Sequence, residues 1–104
     1  MQRMNAAQLA EYLKTSKASL IDVREPWEFE ICQLDDSINI PMAQVPRHLS
    51  TFATAKVSVV ICHHGVRSLH VIQYLQQQGI KDLINLEGGV DAWARQVDIN
   101  MPLY

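Results

Sequence analysis

The sequence predicts an α/β fold, in which helices cover both faces of a parallel β-sheet. Short apolar runs alternate with segments of helical periodicity along the 104-residue chain, and this alternation is typical of βα units. The run at 57–61 is also rich in β-branched residues, as expected for a strand that is buried on both faces. We expect one domain over 1–104, with its core at about 4–97 and an irregular tail at 98–104.

The composition indicates a water-soluble globular protein and argues against several functional classes. With 48% hydrophobic and 19% charged residues, the chain is too apolar to be disordered. Its net charge of -2 does not supply the basic surface that nucleic-acid binding requires. No apolar run approaches the roughly 20 residues of a membrane span, and no signal-peptide pattern opens the chain. We expect free thiols at Cys32 and Cys62 and a cytoplasmic location.

The first regular element that the sequence predicts is a helix beginning at Asn5. The Asn5 side chain can cap a helix, and Gln8 stands at the capping-box position. Met4 and Leu9 have the spacing of a hydrophobic staple. The helix should continue to about Thr15.

The next part of the chain is predicted to form short elements bounded by prolines. They are a strand at 20–23, a short helix at 27–31, a strand at 38–40 and one or two helical turns at 46–52. Pro26 suits the first turn of the short helix, and Pro41 ends the strand at 38–40.

The clearest strand–loop–helix unit lies at 57–78. After the strand at 57–61 comes the loop Cys62-His63-His64-Gly65-Val66-Arg67-Ser68. From Leu69 onward, apolar residues recur at helical spacing until Gly79. A strand at 83–86 and a last helix with an apolar face at 90–97 complete the prediction.

A parallel sheet brings residues that are distant in sequence to one edge of the molecule. Asp22, Arg24, Cys62 and Glu87 stand at the carboxyl ends of predicted strands, where ligands bind in open α/β sheets. Backbone N–H groups and a helix N-terminus at that place can stabilise a thiolate. We expect the amides of residues 63–68 to surround the sulfur of Cys62.

The loop side chains suit the same chemistry. Gly65 lets the loop turn where a side chain would block it. Ser68 can cap the helix or donate to the sulfur. Arg67 carries a guanidinium, which suits the oxyanions of a sulfur donor.

These residues resemble the active loop of rhodanese-type sulfurtransferases. Three further stretches agree with that family in order and spacing. They are Asp22-Val-Arg24-Glu25 with Trp27-Glu28-Phe29, then Ile38-Asn-Ile-Pro41, and finally Leu86-Glu-Gly-Gly89 with Trp93. The resemblance extends from about Met4 to about Val97, nearly the whole chain.

The resemblance implies a five-stranded parallel sheet and a cofactor-free sulfurtransferase. Cys62 would be the nucleophile and would carry a persulfide, while the loop 63–68 would bind the substrate. Sulfane sulfur would pass from a donor such as thiosulfate to a thiol or cyanide, or to a thioredoxin-like or other protein acceptor. Asp22, Arg24 and Glu25 are expected to support the loop through ion pairs and hydrogen bonds. Neither nucleic acid nor a membrane is expected as a partner.

Alternative functions remain open from the residues alone. A cysteine phosphatase or arsenate reductase places its arginine six positions after the cysteine, whereas Arg67 comes five positions after Cys62. This shorter ring should admit one sulfur atom and crowd a tetrahedral phosphate. A non-catalytic rhodanese-like interaction or regulatory module is the other alternative.

The remaining candidate residues are expected to take no part in catalysis or metal binding. No metal site is expected, because His63 and His64 are adjacent and should point in divergent directions, and no zinc-type cluster accompanies them. They are expected to line the mouth of the site. Cys32 is expected to be a bystander thiol, and Trp27 and Trp93 to be packing residues.

Overall fold

The computed structural model describes all residues from Met1 to Tyr104 and confirms the α/β prediction. The strands are β1 Gln2–Met4, β2 Ser19–Asp22, β3 Ile38–Asn39, β4 Ser58–Ile61 and β5 Leu83–Leu86. The α-helices are α1 Ala6–Thr15, α2 Pro26–Ile31, α3 Leu49–Thr54, α4 Val66–Gln77 and α5 Gly89–Gln96, and a 3₁₀ helix covers Met42–His48. All five strands are parallel and form one sheet in the order β1-β5-β4-β2-β3.

The register of the central strands aligns their carboxyl ends. Asp22 of β2 pairs with Ile61 of β4, and Val60 of β4 pairs with Asn85 of β5. The loops that follow β2, β4 and β5 therefore leave the sheet side by side, as the prediction for a parallel sheet requires.

Two apolar clusters hold the helices on opposite faces of the sheet. One cluster joins Leu9 of α1 and Val90 of α5 to Val59 of β4. The other joins Ile72 of α4 to Val60, the next residue of β4, whose side chain points to the other face. Burial on both faces explains why β4 is apolar from Val59 to Ile61.

Strand β1 was not predicted from the sequence. Its residues Gln2-Arg3-Met4 show neither an apolar run nor alternation, so nothing in them indicates a strand. They become a strand because they pair with residues 84–86 of β5 at the edge of the sheet. The capping box of Asn5 and Gln8 at the start of α1 is present as predicted.

Helix α4 begins at Val66, three residues before its predicted start. Gly65 is the N-cap residue, so Ser68 lies within the first turn and does not cap the helix. The predicted start was too late because the residues at 66–68 do not show the apolar spacing that begins at Leu69.

Trp27, which was expected to be a packing residue, lies outside the core and is 60% exposed. Its ring meets the ring of Tyr104 edge-on, with centroids 6.1 Å apart. Trp93 is half-buried and packs against the cluster that contains Leu9.

The segment that follows α5 contains no helix or strand but packs onto the domain. Met101 is buried in the cluster with Leu9, and Tyr104 reaches the loop that follows β4. None of the helices combines the length and apolarity that crossing a bilayer demands.

Candidate active site

Cys62 leaves the carboxyl end of β4 and is enclosed by its own loop. The residue is only 1% exposed. The backbone N–H of Gly65 donates to Cys62 Sγ at 3.0 Å, and the Cys62 thiol donates to Ser68 Oγ at 3.3 Å. Among the loop amides that were expected to surround the sulfur, that of Gly65 is the one hydrogen-bonded to it.

The other amides at the start of α4 remain unpaired. The backbone N–H groups of Val66, Arg67 and Ser68 make no backbone hydrogen bond, because they lie in the first turn of the helix. They lie next in sequence to the Gly65 amide that already bonds the sulfur. The start of α4 therefore retains donors for an additional electronegative atom.

Gly65 adopts a backbone conformation that disfavours other residues. Its φ is +97°, and an added Cβ would lie 3.1 Å from Gly88 N and 3.2 Å from Leu86 O. The loop is thus packed against the turn after β5, and this packing aims the Gly65 N–H at the sulfur.

Asn85 forms a second layer beneath the loop. It is fully buried in β5, and its Oδ1 accepts from Ser68 Oγ at 2.5 Å. Its Nδ2 donates to Gly65 O at 3.2 Å and to Glu87 Oε2. One amide side chain therefore fixes both residues that contact the sulfur.

Arg67 forms a bidentate ion pair with Glu28 of α2. The two contacts are 2.7 and 2.8 Å long, and the Glu28 side chain is 5% exposed against 34% for Arg67. The guanidinium of Arg67 is the main reason that the pKa of Glu28 is lowered to about 2. The charge that was expected to bind a donor anion is thus already balanced by a carboxylate.

Tyr104 connects the tail of the chain to this ion pair. Its hydroxyl donates to Glu28 Oε2 at 2.7 Å and accepts from Arg24 Nη1 at 2.9 Å. Its ring stacks on His63, with centroids 3.9 Å apart and planes 6° apart. Burial raises the pKa of Tyr104 to about 12, so the hydroxyl stays protonated at neutral pH.

Asp22 and Arg24 form a fully buried ion pair, with a contact of 2.7 Å. Arg24 also donates to the carbonyl oxygens of Cys32 and Glu28, so it ties the end of β2 to α2. Glu25 is exposed and precedes α2 as its N-cap residue. The side chain of Arg24 contacts Asp22, the carbonyl oxygens of Glu28 and Cys32, and Tyr104, so support of the loop 63–68 by Asp22, Arg24 and Glu25 stays a prediction.

His63 and His64 do not diverge as expected. Their ring centroids are 4.0 Å apart and their planes are tilted by 30°. His63 is half-buried and His64 is exposed, as is Val66 at 61%. Both cysteines are free thiols, and Cys32 Sγ lies 3.8 Å from Arg24 Nη1.

Sequence reasoning missed three contributors to this region. Glu28 belongs to the stretch that carried the family resemblance, and Asn85 is the one polar residue in the strand Leu-Ile-Asn-Leu, which is a usable signal. No sequence pattern indicates a role for Tyr104, because its contacts depend on how residues 97–104 pack onto the domain.

The fold and the loop define a parallel α/β domain that presents one cysteine at the start of a helix. The chain belongs to the rhodanese-like domain family, whose pattern matches residues 5–96. It is similar to a rhodanese-like domain protein from Staphylococcus aureus, with a TM-score of 0.82 and 34% identity over 89% of this chain and 91% of that one. A rhodanese-related protein from Thermoplasma volcanium gives a TM-score of 0.82 and 33% identity, covering 93% of this chain and 94% of that one.

Relatives of the chain include proteins that are named as sulfurtransferases. The "Sulfurtransferase" of Allochromatium vinosum is 36% identical over 78% of this chain and 76% of its own length. "Adenylyltransferase and sulfurtransferase MOCS3" of Drosophila virilis is 40% identical over 99% of this chain. The chain spans about a quarter of the length of that relative.

Proposed function

We propose that this domain is a sulfurtransferase that carries sulfane sulfur as a persulfide on Cys62. The donor is thiosulfate or a similar anion, and the acceptor is a thiol, cyanide or a thioredoxin-like protein. The proposal rests on one observation above all. The sulfur of Cys62 is bonded by the Gly65 amide beside the unpaired amides of α4.

The reaction proceeds in two displacements. The Cys62 thiolate attacks the sulfane sulfur of thiosulfate, the S–S bond of the donor breaks, and sulfite leaves with the electron pair. An acceptor thiolate then attacks the outer sulfur, and Cys62 leaves as a thiolate. The Gly65 amide stabilises Sγ, and the amides of residues 66–68 stabilise the negative outer sulfur.

We assign Arg67 to recognition of the donor anion. A guanidinium has five N–H donors, and Glu28 engages two of its nitrogens through one bond each. The remaining N–H groups can donate to a sulfonate oxygen while the ion pair fixes the plane of the guanidinium. Asp22 and Arg24 brace this arrangement from beneath, through the carbonyl oxygens of Cys32 and Glu28.

Because Cys62 is buried, sulfur transfer requires that a donor can reach its sulfur atom. At 1% exposure, the residue reacts only if the surrounding side chains move aside or a donor enters between them. Glu28, His63, Arg67 and Tyr104 form a chain of side-chain contacts beside Cys62, and Arg67 is one-third exposed. We therefore expect donor access to depend on rotation of these side chains.

Intact mass spectrometry after incubation with thiosulfate tests the proposal. Wild type should gain the mass of one sulfur atom, and the adduct should disappear on adding cyanide or a reduced thiol. Cys62→Ser should gain nothing, whereas Cys32→Ser, which removes the other buried thiol, should react like wild type. An unmodified wild type, or an adduct carried by Cys32, contradicts the enzymatic role.

The alternatives predict different results in parallel assays. A phosphatase would hydrolyse a phenyl phosphate in a Cys62-dependent manner without forming a sulfur adduct. A non-catalytic interaction module would show neither activity while remaining folded. Either outcome would contradict the sulfurtransferase proposal and support the corresponding alternative.

A further inference from the structure

We propose that His63, His64 and Asp91 form a binding site for a divalent transition-metal ion, of which Zn²⁺ is the representative case. One ligand atom from each residue lies within 4.8 Å of the other two. Two imidazoles and one carboxylate are a ligand set that zinc accepts in proteins. The site is separate from the sulfur chemistry of Cys62, although His63 directly follows that cysteine.

The backbone holds the three residues together. The N–H of Val90 donates to Cys62 O at 2.9 Å, and the N–H of Asp91 donates to His63 O at 3.1 Å. Gly89 makes this approach possible, because a Cβ there would lie 2.3 Å from His63 O. The first turn of α5 is therefore fixed against the histidine loop by main-chain contacts rather than by side-chain rotamers.

The imidazole nitrogens of His63 and His64 are free to bind. The neighbouring side-chain hydrogen bonds run among Arg24, Glu28, Arg67 and Tyr104 and leave both imidazoles unengaged. Tyr104 contacts His63 through its ring face, so the nitrogens at the ring edge stay accessible.

Asp91 is already oriented for this role by a neighbour. Arg95 Nε donates to Asp91 Oδ2 at 3.0 Å, which leaves Oδ1 without a partner. A hydrogen bond to the second oxygen of a ligating carboxylate is a usual feature of metal sites, because it fixes the orientation of the first. Arg95 lies on the same helix and is the cation paired with this carboxylate.

The required rearrangement is small. Ligand atoms of a tetrahedral zinc site lie roughly 3.4 Å apart, which follows from bond lengths of about 2.0–2.2 Å. The present separations of up to 4.8 Å close by side-chain rotation, since His64 is exposed and Asp91 is half-buried. With three protein ligands, the ion keeps a fourth position for water or an external ligand.

Isothermal titration of the protein with ZnCl₂ tests the site. We expect one Zn²⁺ per chain, with His64→Ala and Asp91→Asn each weakening binding roughly tenfold or more. The matched control is the double variant His48→Ala/His70→Ala, which removes the other two histidines, both exposed, and should bind as wild type does. Cys62→Ser should also bind normally, since the thiol is not a ligand.

Imidazole NMR spectra of unmodified protein provide a measurement that does not depend on variants. Zinc should shift the ring signals of His63 and His64 and leave those of His48 and His70 in place. Absence of binding in wild type, equal affinity in His64→Ala, loss of binding in Cys62→Ser, or uniform shifts of all four histidines would overturn the proposal.

Discussion

Tyr104 stacks face to face on His63, the residue that follows Cys62, while its hydroxyl bonds the carboxylate of Glu28. Two parts of the candidate site are thus joined by a residue that comes from the tail. The ring covers the histidine loop, and the hydroxyl completes the ion pair of Glu28 with Arg67. The predictions below separate these contributions.

Replacing Tyr104 by Phe should keep the ring stack and lose the two hydroxyl hydrogen bonds. Because both partners, Glu28 and Arg24, are charged, we expect a loss of roughly 1.5–3 kcal/mol of unfolding free energy. Urea denaturation at pH 7 measures it. Tyr74→Phe is the control, since that half-buried tyrosine has no side-chain hydrogen bond. Equal losses in both variants would contradict the assigned role of the hydroxyl.

The ion pair of Glu28 should make stability depend on acid. The pKa of Glu28 falls from 4.5 to about 2 on folding, so between these values the unfolded chain binds more protons. Stability from this group is therefore complete above about pH 4.5 and is lost as the pH falls towards 2. Its size is at most roughly 3 kcal/mol, and solvent at the one-third-exposed Arg67 reduces it.

Comparison of Glu28→Gln with Glu30→Gln, an exposed neighbour on the same helix, checks this pH dependence. Denaturation curves at pH 7, 4 and 3 should show the deficit of Glu28→Gln shrinking as the pH falls. A deficit that is constant with pH would show that the lost stability does not arise from the ionised carboxylate.

Glu28→Gln should also affect donor binding. If Arg67 binds the donor anion, removing the competing carboxylate should lower the KM for thiosulfate, because more of the guanidinium is available. The double variant Glu28→Gln/Arg67→Ala should raise KM well above that of Glu28→Gln alone, without leaving an unpaired buried charge. Steady-state kinetics measure the two KM values. If Glu28→Gln and the double variant have equal KM values for thiosulfate, Arg67 does not recognise the donor.

Gly65→Ala should reduce both stability and persulfide formation. The added methyl group meets Gly88 N and Leu86 O at 3.1–3.2 Å, and φ is positive, so we expect a loss of about 1–3 kcal/mol. Gly79→Ala is matched to it, since Gly79 also has a positive φ, of +84°, but has open space around it. Thermal melts and the mass-spectrometric assay should show the larger loss of stability, and the only loss of activity, at Gly65.

Ser68→Ala should slow sulfur transfer and leave Asn85 Oδ1 without its donor. The expected loss of stability is about 1 kcal/mol, with a larger proportional loss of kcat/KM for thiosulfate. Ser58→Ala is the control, because Ser58 Oγ is buried without any partner and its removal should be neutral or stabilising. A normal rate in Ser68→Ala would restrict this hydroxyl to a structural role.

The sequence by itself determined the order of the central elements and the place of Cys62. An apolar β-branched run, a glycine-containing loop and a change to helical spacing are local signals, and β4, the loop and α4 follow from them. The capping box at Asn5 is equally local. The start of α4 was misplaced because Val66 to Ser68 form the first turn without showing its periodicity.

Only the tertiary structure decided which side chains meet around the loop. Strand β1 exists through its pairing with β5, and Asn85 reaches Ser68 through the register of the sheet. Glu28 and Tyr104 come from segments 39 and 37 residues away from Arg67, and packing alone brings them to its guanidinium and to His63. Contacts of this kind depend on distances between elements, which local propensity and periodicity do not encode.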